Sequence, residues 1–399
     1  MQFEKSGLLM IGTVGVTMGL LMGCSAPDKL DERLQKGDLI MPVYAEGFRW
    51  RTCGGGPDAE ATCLEILDGD KKAVSVTVYR DSVHWQNDEA FVPGAVVVLG
   101  LEQGLTTLSS THVALMEPWD ASLSQWKGGG FLQYVESEAA NKRMRDGETV
   151  DFGGNPEWNH EAMIASSFRA FCIYPYGNPL QGEEWAESLP VVPILEYAER
   201  TSLGRAEWMK VFAWMVDDQA LERANEAFDE ITERYQQIQQ EPLPTSDSLR
   251  VFTGSVDQGK WTAPSGTSFI AHILKDAGAR YVFADQKSPE NINVSLEKII
   301  ELSGRADAWG VVMFQSNTDA ITRADLVAQN PQNAFLIPAS GRVFVANTAE
   351  CDYFGWWVAH PDALLRNLRE LFYGPNEHVL GTAGLSESRT KACFRWIQE

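Results

Sequence analysis

The chain has 399 residues, of which 44% are hydrophobic and 22% charged. That is the make-up of a globular protein long enough for two domains and a substantial core. A net charge of -22 at pH 7 argues against a nucleic-acid partner, since phosphate would be repelled. Acidity alone names no function, because solubility accounts for it.

The chain opens with the apolar run "SGLLMIGTVGVTMGLLMGC", which reads as a secretory signal over residues 1–23. The run ends Leu21-Met22-Gly23-Cys24, which resembles a bacterial lipobox, so Cys24 is expected to be acylated and to become the new N-terminus. The rest of the protein is then extracytoplasmic and lipid-anchored to a bacterial membrane. No other stretch reaches 18 apolar residues, so nothing else is expected to span a membrane. Residues 24–38 are polar and read as a tether.

From 39 to 100 the text is strand-rich. "RWRT", "CLEIL", "AVSVTVY" and "AVVVLGL" are separated by Gly, Asp and Pro. Cys53 and Cys63 flank the loop "GGGPDAEAT" and are expected to form a disulfide in an oxidising compartment. The rhythm then changes to β-α-β over 101–205. "LTTLSS" is a strand, and "THVALMEPW" a helix with Thr111 as a possible cap. "FRAFCIYPYG" is a strand with Cys172 as a buried thiol, "PLQGEEWAES" a helix and "LPVVPILEY" a strand. This order implies a parallel sheet.

Residues 206–243 are helical. "SLGRAEWMKVFAWMV" reads as one helix. The stretch from Asp217 then places Leu221, Ala224, Phe228, Ile231, Tyr235 and Ile238 on one stripe, until Pro242 and Pro244 stop it. Roughly 24 residues at about 1.5 Å each make a rod of about 36 Å. After it, β-α-β order returns over 244–399. "LRVFTGSV", "RYVFA", "WGVVMFQ", "NAFLIPA" and "GRVFVA" read as strands. "TSFIAHILKDA", "SLEKIIELS", "DLVAQ" and "PDALLRNLRELF" read as helices, two of them ended by Gly278 and Gly304. Cys351 and Cys393 are expected to form a second disulfide. The fold class is therefore α/β, with two lobes that each carry a mostly parallel sheet. One long rigid helix joins them and leaves a ligand cleft between strand ends.

With that order in place, the sequence resembles the substrate-binding proteins of bacterial ABC importers for siderophores, haem and cobalamin, those with a helical backbone. "LSSTHVALMEPWDA" looks like the first strand and helix of the N-lobe, and "VVPILEYAERTSLGRAEWMKVFAWMV" like the approach to the strut. "WTAPSGTSFIAHILKDAGARYVFAD" looks like the opening of the C-lobe, and "NAFLIPASGRVFVANTAECDYFGWWVAHPDALLRNLRELF" like its end. The resemblance spans roughly residues 100 to 375, and the β-rich segment 39–100 looks like the addition seen in some lipoprotein members. It implies a monomer that captures a small metal chelate, a ferric siderophore, haem or corrinoid, and delivers it to an ABC permease and its ATPase. It also implies an acidic residue on top of each lobe to meet permease arginines. Glu183 or Glu184 stands at the N-lobe position, whereas the C-lobe position falls on Thr267 and carries no carboxylate.

Candidate ligand contacts are residues at strand ends. In the N-lobe they are Ser110, Thr111 and His112, with Tyr174 and Tyr176. In the C-lobe they are Lys260, Trp261 and Thr262, then Gln315, then Tyr353, Trp356 and Trp357. Aromatic walls with a few polar groups suit a large flat or iron-bound ligand. Trp261 is favoured, because "DQGKWTAPSG" reads as an exposed loop. No resident cofactor is expected, and the six histidines show no clustered metal-ligand spacing. "NHEAMI" lacks the second histidine of a zinc protease, no G-x-S-x-G is present, and "SLEK" opens an amphipathic helix without companion motifs. A binding protein is thus expected rather than an enzyme. The alternatives are an accessory lipoprotein of the same fold that does not dock on a permease, and an extracytoplasmic enzyme on a two-lobed scaffold.

Overall fold

The computed structural model describes residues 39–53, 61–68, 73–88, 96–100, 104–154, 157–166, 168–175, 189–243, 247–257, 260–316, 321–374 and 392–397. Cys24, Tyr176, Glu183 and Glu184 lie outside the described residues, as does the helix expected in "PLQGEEWAES".

The N-lobe sheet has five parallel strands in the order Val191–Pro193, Ala170–Ile173, Leu105–Thr107, Trp126–Gly129 and Val150–Asp151. The C-lobe sheet runs Arg280–Tyr281, Arg250–Thr253, Ala308–Met313 and Val343–Asn347 in parallel, and Phe394–Trp396 closes it antiparallel. The central strands are buried on both faces, as in Ala170–Ile173, where all four residues are buried. That is why they read as apolar runs rather than alternating ones. The molecule is thus α/β with two lobes built on mostly parallel sheets.

Between the lobes lies the helix Asp218–Gln240, capped by the Asp217 side chain, which accepts from the Ala220 N–H. Its buried face is Ala220, Ala224, Phe228, Ile231, Tyr235 and Ile238. Leu221, expected in the stripe, is only half-buried, and Ala220 takes the first position. The preceding stretch is two helices, Ser202–Glu207 and Met209–Val216, broken at Trp208, which is fully buried. Almost every residue of both is buried, so no amphipathic period marks the break.

The strands Leu39–Ile40, Phe48–Thr52, Thr62–Leu67, Val74–Tyr79 and Val96–Val98 form a separate five-stranded sheet, antiparallel except where Val74–Tyr79 pairs with Val96–Val98. It is fastened to the helical segment by buried carboxylates. Glu207 accepts from the backbone N–H of Val43, Tyr44 and Ala45 at 2.7–2.9 Å, and Glu199 accepts from Glu46 and Gly47 at 2.9 Å. Charged acceptors make these bonds stronger than neutral ones.

Three expectations need correction. "NAFLIPA" is not a strand; the Asn330 cap and Pro331 in the first turn set the short 3-10 helix Pro331–Phe335. The strand in "RYVFA" stops at Tyr281, where a turn begins. Cys53 and Cys63 are free thiols. In their hairpin Arg51 faces Cys63, Thr52 faces Thr62, and the Cys53 N–H donates to the Ala61 carbonyl. The cysteines are therefore diagonal neighbours, whose Cα atoms lie about 7–8 Å apart, beyond ordinary disulfide reach. Cys351 and Cys393 are bonded, with Cα atoms 5.3 Å apart, and Cys172 is a buried free thiol.

Candidate functional site

A cavity of about 510 Å³ opens where the carboxyl ends of strands from both lobes meet. The N-lobe contributes Ser109 and Thr111 after the strand Leu105–Thr107, Tyr174 after Ala170–Ile173, and Glu196 and Tyr197 after Val191–Pro193. Ser109 caps the helix Ser110–Met116 by accepting from the Thr111 N–H, so the sequence's expectation of Thr111 as cap shifts by two residues. Arg205 enters from the helix Ser202–Glu207.

The C-lobe wall is mostly apolar. Phe269, Ile270, Ile273 and Leu274 come from the helix Phe269–Asp276, and Leu364 and Leu368 from the helix Pro361–Tyr373. Gly310, Val311 and Phe344 supply the sheet face behind them. At the rim, Gly254 has φ +126, and a Cβ there would stand 2.4 Å from the Thr262 carbonyl oxygen. Only glycine fits that close turn.

The polar centre is a buried acid and base. Glu196 and Arg205 are 3% and 9% exposed, with Oε1 and Nη2 3.8 Å apart. The Arg205 guanidinium also lies over the Phe269 ring, 4.5 Å from its centroid. Burial pushes the Glu196 pKa up to about 7, with Arg205 opposing the rise. Burial lowers that of Arg205, with Glu196 opposing the fall. The Glu196 Oε2 has no hydrogen-bond partner among the described residues. This pair can orient a ligand that both donates and accepts, inside walls that otherwise offer dispersion and ring contacts.

Of the residues expected from sequence, Thr111, Tyr174 and Tyr353 line this cavity. His112 lies behind it, wholly buried, with Nε2 3.9 Å from Glu196 Oε2, and burial lowers its pKa to about 3. A neutral imidazole with no access to the cavity is not placed to meet a ligand. Trp356 and Trp357 are buried in the helix Trp356–Ala359, which packs on the N-lobe helix Ser110–Met116. The Thr111 hydroxyl donates to the Phe354 carbonyl across that interface.

The expectation for Trp261 is overturned. It lies in the strand Lys260–Ala263, between Ser255–Asp257 and Ile292–Val294 in a three-stranded antiparallel sheet, and is wholly buried. Phe252 and Trp309 surround it at 5.7 and 5.9 Å. Thr262 in the same sheet donates to the Asn293 Oδ1 at 3.0 Å, and exposed Lys260 begins the strand. The Gln315 backbone is held by Asn347, and neither Thr262, Lys260 nor Gln315 lines the cavity. Reading missed Glu196, Arg205 and Phe269. Glu196 had a usable signal, since it follows a strand at its carboxyl end as Tyr174 does; Arg205 sits in a helix buried on all sides, where no period gives a facing, and Phe269 opens the amphipathic helix Phe269–Asp276.

No family model matches the chain. It is 23% identical over 278 residues to an uncharacterized lipoprotein of Methanocaldococcus jannaschii, a match covering 67% of this chain and 64% of the relative's length. Among solved structures, a periplasmic binding protein from Veillonella parvula is similar with a TM-score of 0.52 at 14% identity, over 69% of this chain and 93% of that one. A possible iron-binding, periplasmic solute-binding protein from Staphylococcus epidermidis gives 0.51 at 14% identity, over 68% and 98%. A periplasmic heme-binding protein from Pseudomonas aeruginosa gives 0.51 at 13%, over 74% and 98%. The chain has the periplasmic binding-protein fold. In that fold the two sheets are the cores of the two lobes and Asp218–Gln240 is the helix between them. The strands of residues 39–98 stand apart from both lobe sheets.

Proposed function

We propose that this protein is an extracytoplasmic solute-binding protein of an ABC importer, anchored through an acylated Cys24, which captures a haem, corrinoid or ferric-siderophore type of ligand between its lobes and delivers it to a permease. The observation that carries this reading is the cavity itself. It lies at the strand ends of two facing α/β sheets, the position where open sheets take ligands. Its mostly apolar, ring-bearing lining suits a large flat chelate. Iron and heme named for similar folds, and a lipoprotein relative, support the ligand class and the anchor. Among the described residues no helix is long and apolar enough to cross a membrane. The function proposed is binding, not catalysis.

One observation favours a second reading, an accessory lipoprotein that binds but does not dock. Thr267 stands where a docking carboxylate is expected on the C-lobe, and its hydroxyl is engaged by the Ser288 carbonyl at 2.7 Å and by Ser265.

Calorimetric titration of the protein with haemin, cobalamin and a ferric siderophore tests the ligand class. One of them should bind saturably with a Kd of about 1 μM or tighter. Ile273→Trp, which fills the apolar wall, should weaken that ligand by about 100-fold. Absence of saturable binding by all three, or binding indifferent to Ile273→Trp, removes the proposed ligand class from this cavity.

A further inference from the structure

Outside the cavity, the N-terminal sheet holds a second chemical cluster. Cys53, at the end of the strand Phe48–Thr52, and Cys63, in Thr62–Leu67, project from one face of their hairpin. Asp88 follows the helix Ser82–Asn87 and comes over the same spot. The two thiol sulfurs and an Asp88 carboxylate oxygen all lie within 4.8 Å of one another. Cys53 is 3% exposed, Cys63 0% and Asp88 9%. We propose that Cys53, Cys63 and Asp88 form a binding site for a thiophilic divalent cation of the zinc type.

Three observations carry the proposal. The first is register. The diagonal placement of the cysteines sets their sulfurs too far apart for a bond of about 2.05 Å, but a shared cation tolerates the wider spacing. Zinc with bonds of about 2.3 Å to sulfur and about 2.0–2.2 Å to oxygen needs donors only about 3.5–3.8 Å apart. The three donor atoms lie within 4.8 Å of one another, close to that spacing.

The second is the way Asp88 is held. Arg51 Nη2 donates to Asp88 Oδ2 at 2.7 Å, Arg51 Nη1 reaches Oδ1 at 3.3 Å, and the Tyr79 hydroxyl donates to Oδ2 at 2.5 Å. Arg51 is itself fixed by Glu65, its Nε donating at 2.7 Å, and Arg49 donates to the other Glu65 oxygen at 2.7 Å. Outer partners of this kind orient ligating carboxylates and are costly to remove.

The third is charge. Arg49 and Arg51 balance Glu65 and Asp88, so the surroundings are neutral before the cysteines are counted. Two thiolates then balance a divalent ion, and each thiol releases its proton to solvent on binding. A buried site with no net charge avoids the large desolvation cost of an unpaired ion. Two sulfurs and one oxygen are a soft donor set that selects zinc-type ions over magnesium or calcium, and they leave a fourth position for water. Bound metal would bridge the hairpin to the segment carrying Asp88 and stiffen the extension.

Cobalt(II) provides the probe. The full chain, reduced and stripped with chelator, is titrated with Co2+ and followed by absorbance. The expected result is a thiolate-to-cobalt charge-transfer band saturating at one equivalent and abolished by Zn2+. Cys53→Ser and Cys63→Ser should each lose it, and Asp88→Asn should keep a band but release zinc to a competing chelator at about 10-fold lower concentration or less. Where a cysteine variant fails to fold, protection of Cys53 and Cys63 from alkylation by Zn2+ in the unsubstituted chain replaces it. No band in the reduced protein, a band that survives Cys53→Ser in a folded chain, or no protection by Zn2+ overturns the site.

Discussion

The two walls of the cavity differ in kind. The N-lobe side brings hydroxyls, tyrosines and the carboxylate of Glu196, with Arg205 beside it. The C-lobe side brings Phe269, Ile273, Leu274, Phe344, Leu364 and Leu368, with the hydroxyls of Thr253, Ser255 and Tyr353 and no charged group among its lining residues. An apolar wall supplies area-dependent attraction that hardly depends on orientation. A few buried polar groups supply direction, since a wrongly placed ligand leaves them unpaired. On the proposed function, the apolar side supplies most of the affinity, and Glu196 with Arg205 most of the selection.

The largest expected effect concerns what stands behind the C-lobe wall. Trp261 is wholly buried against Phe252 and Trp309, and Phe252 immediately precedes the cavity residue Thr253. Trp261→Ala should cost about 3–5 kcal/mol of stability by leaving a cavity in that stack. The Kd of the fraction that remains folded should hold. A variant with unchanged denaturant midpoint but weaker ligand binding would return Trp261 to the site.

The polar wall is probed by pH. The folded pKa of Glu196, about 7, lies above its ordinary 4.5. Between those values the folded state keeps a proton that the unfolded chain has lost, so this group makes stability fall as pH rises through the window. His112 does the reverse. Its folded pKa of about 3 lies below the ordinary 6.5, so the unfolded chain gains a proton first, and stability rises with pH across that range. From pH 4.5 to 6.5 the two oppose each other. Glu196→Gln should therefore steepen the rise of stability with pH relative to the parent, by at most about 3 kcal/mol over the window. Denaturant midpoints at half-unit pH steps measure it. Parallel profiles for variant and parent would place Glu196 in contact with solvent and remove the buried pair from the site.

Much of this frame was legible in the sequence. The long helix showed because one face is buried and the other solvated, which writes a 3.6-residue period into the text. The parallel strands showed as short apolar runs between helices. The site was less legible for a geometric reason. Thr111, Tyr174 and Tyr353 lie at strand ends or beside the lobe interface, where chain order alone places them. Trp261 misled because the expected loop is a strand, whose partner Ile292–Val294 lies some thirty residues on, and because Phe252 and Trp309 pack around its ring. Arg205 was hidden in a segment buried on all sides, with no period to show a direction. The Cys53 and Cys63 pair was read by its loop, whereas the strand register decides what the sulfurs can reach.

The smallest expected effect is a motion that hardly occurs. The helix Asp218–Gln240 has 23 residues without glycine or proline, about 34 Å of continuous rod. It is fastened at both ends. Toward the N-lobe, Arg223 donates to the Trp119 carbonyl at 3.2 Å. Toward the C-lobe, Arg234 donates to Asp362 at 2.6 Å and the Tyr235 hydroxyl to Asp276 at 2.7 Å. The lobes also touch directly, through Thr111 with Phe354 and through the packing of Ser110–Met116 on Trp356–Ala359. A hinge needs residues that absorb a large change in backbone angle, and neither route offers one. The two unlike walls should therefore hold nearly constant separation, and the radius of gyration should change by less than about 1 Å when ligand is added. Small-angle scattering at saturating ligand measures this. Compaction of several ångströms would mean that the contact between Thr111 and Phe354 opens and closes.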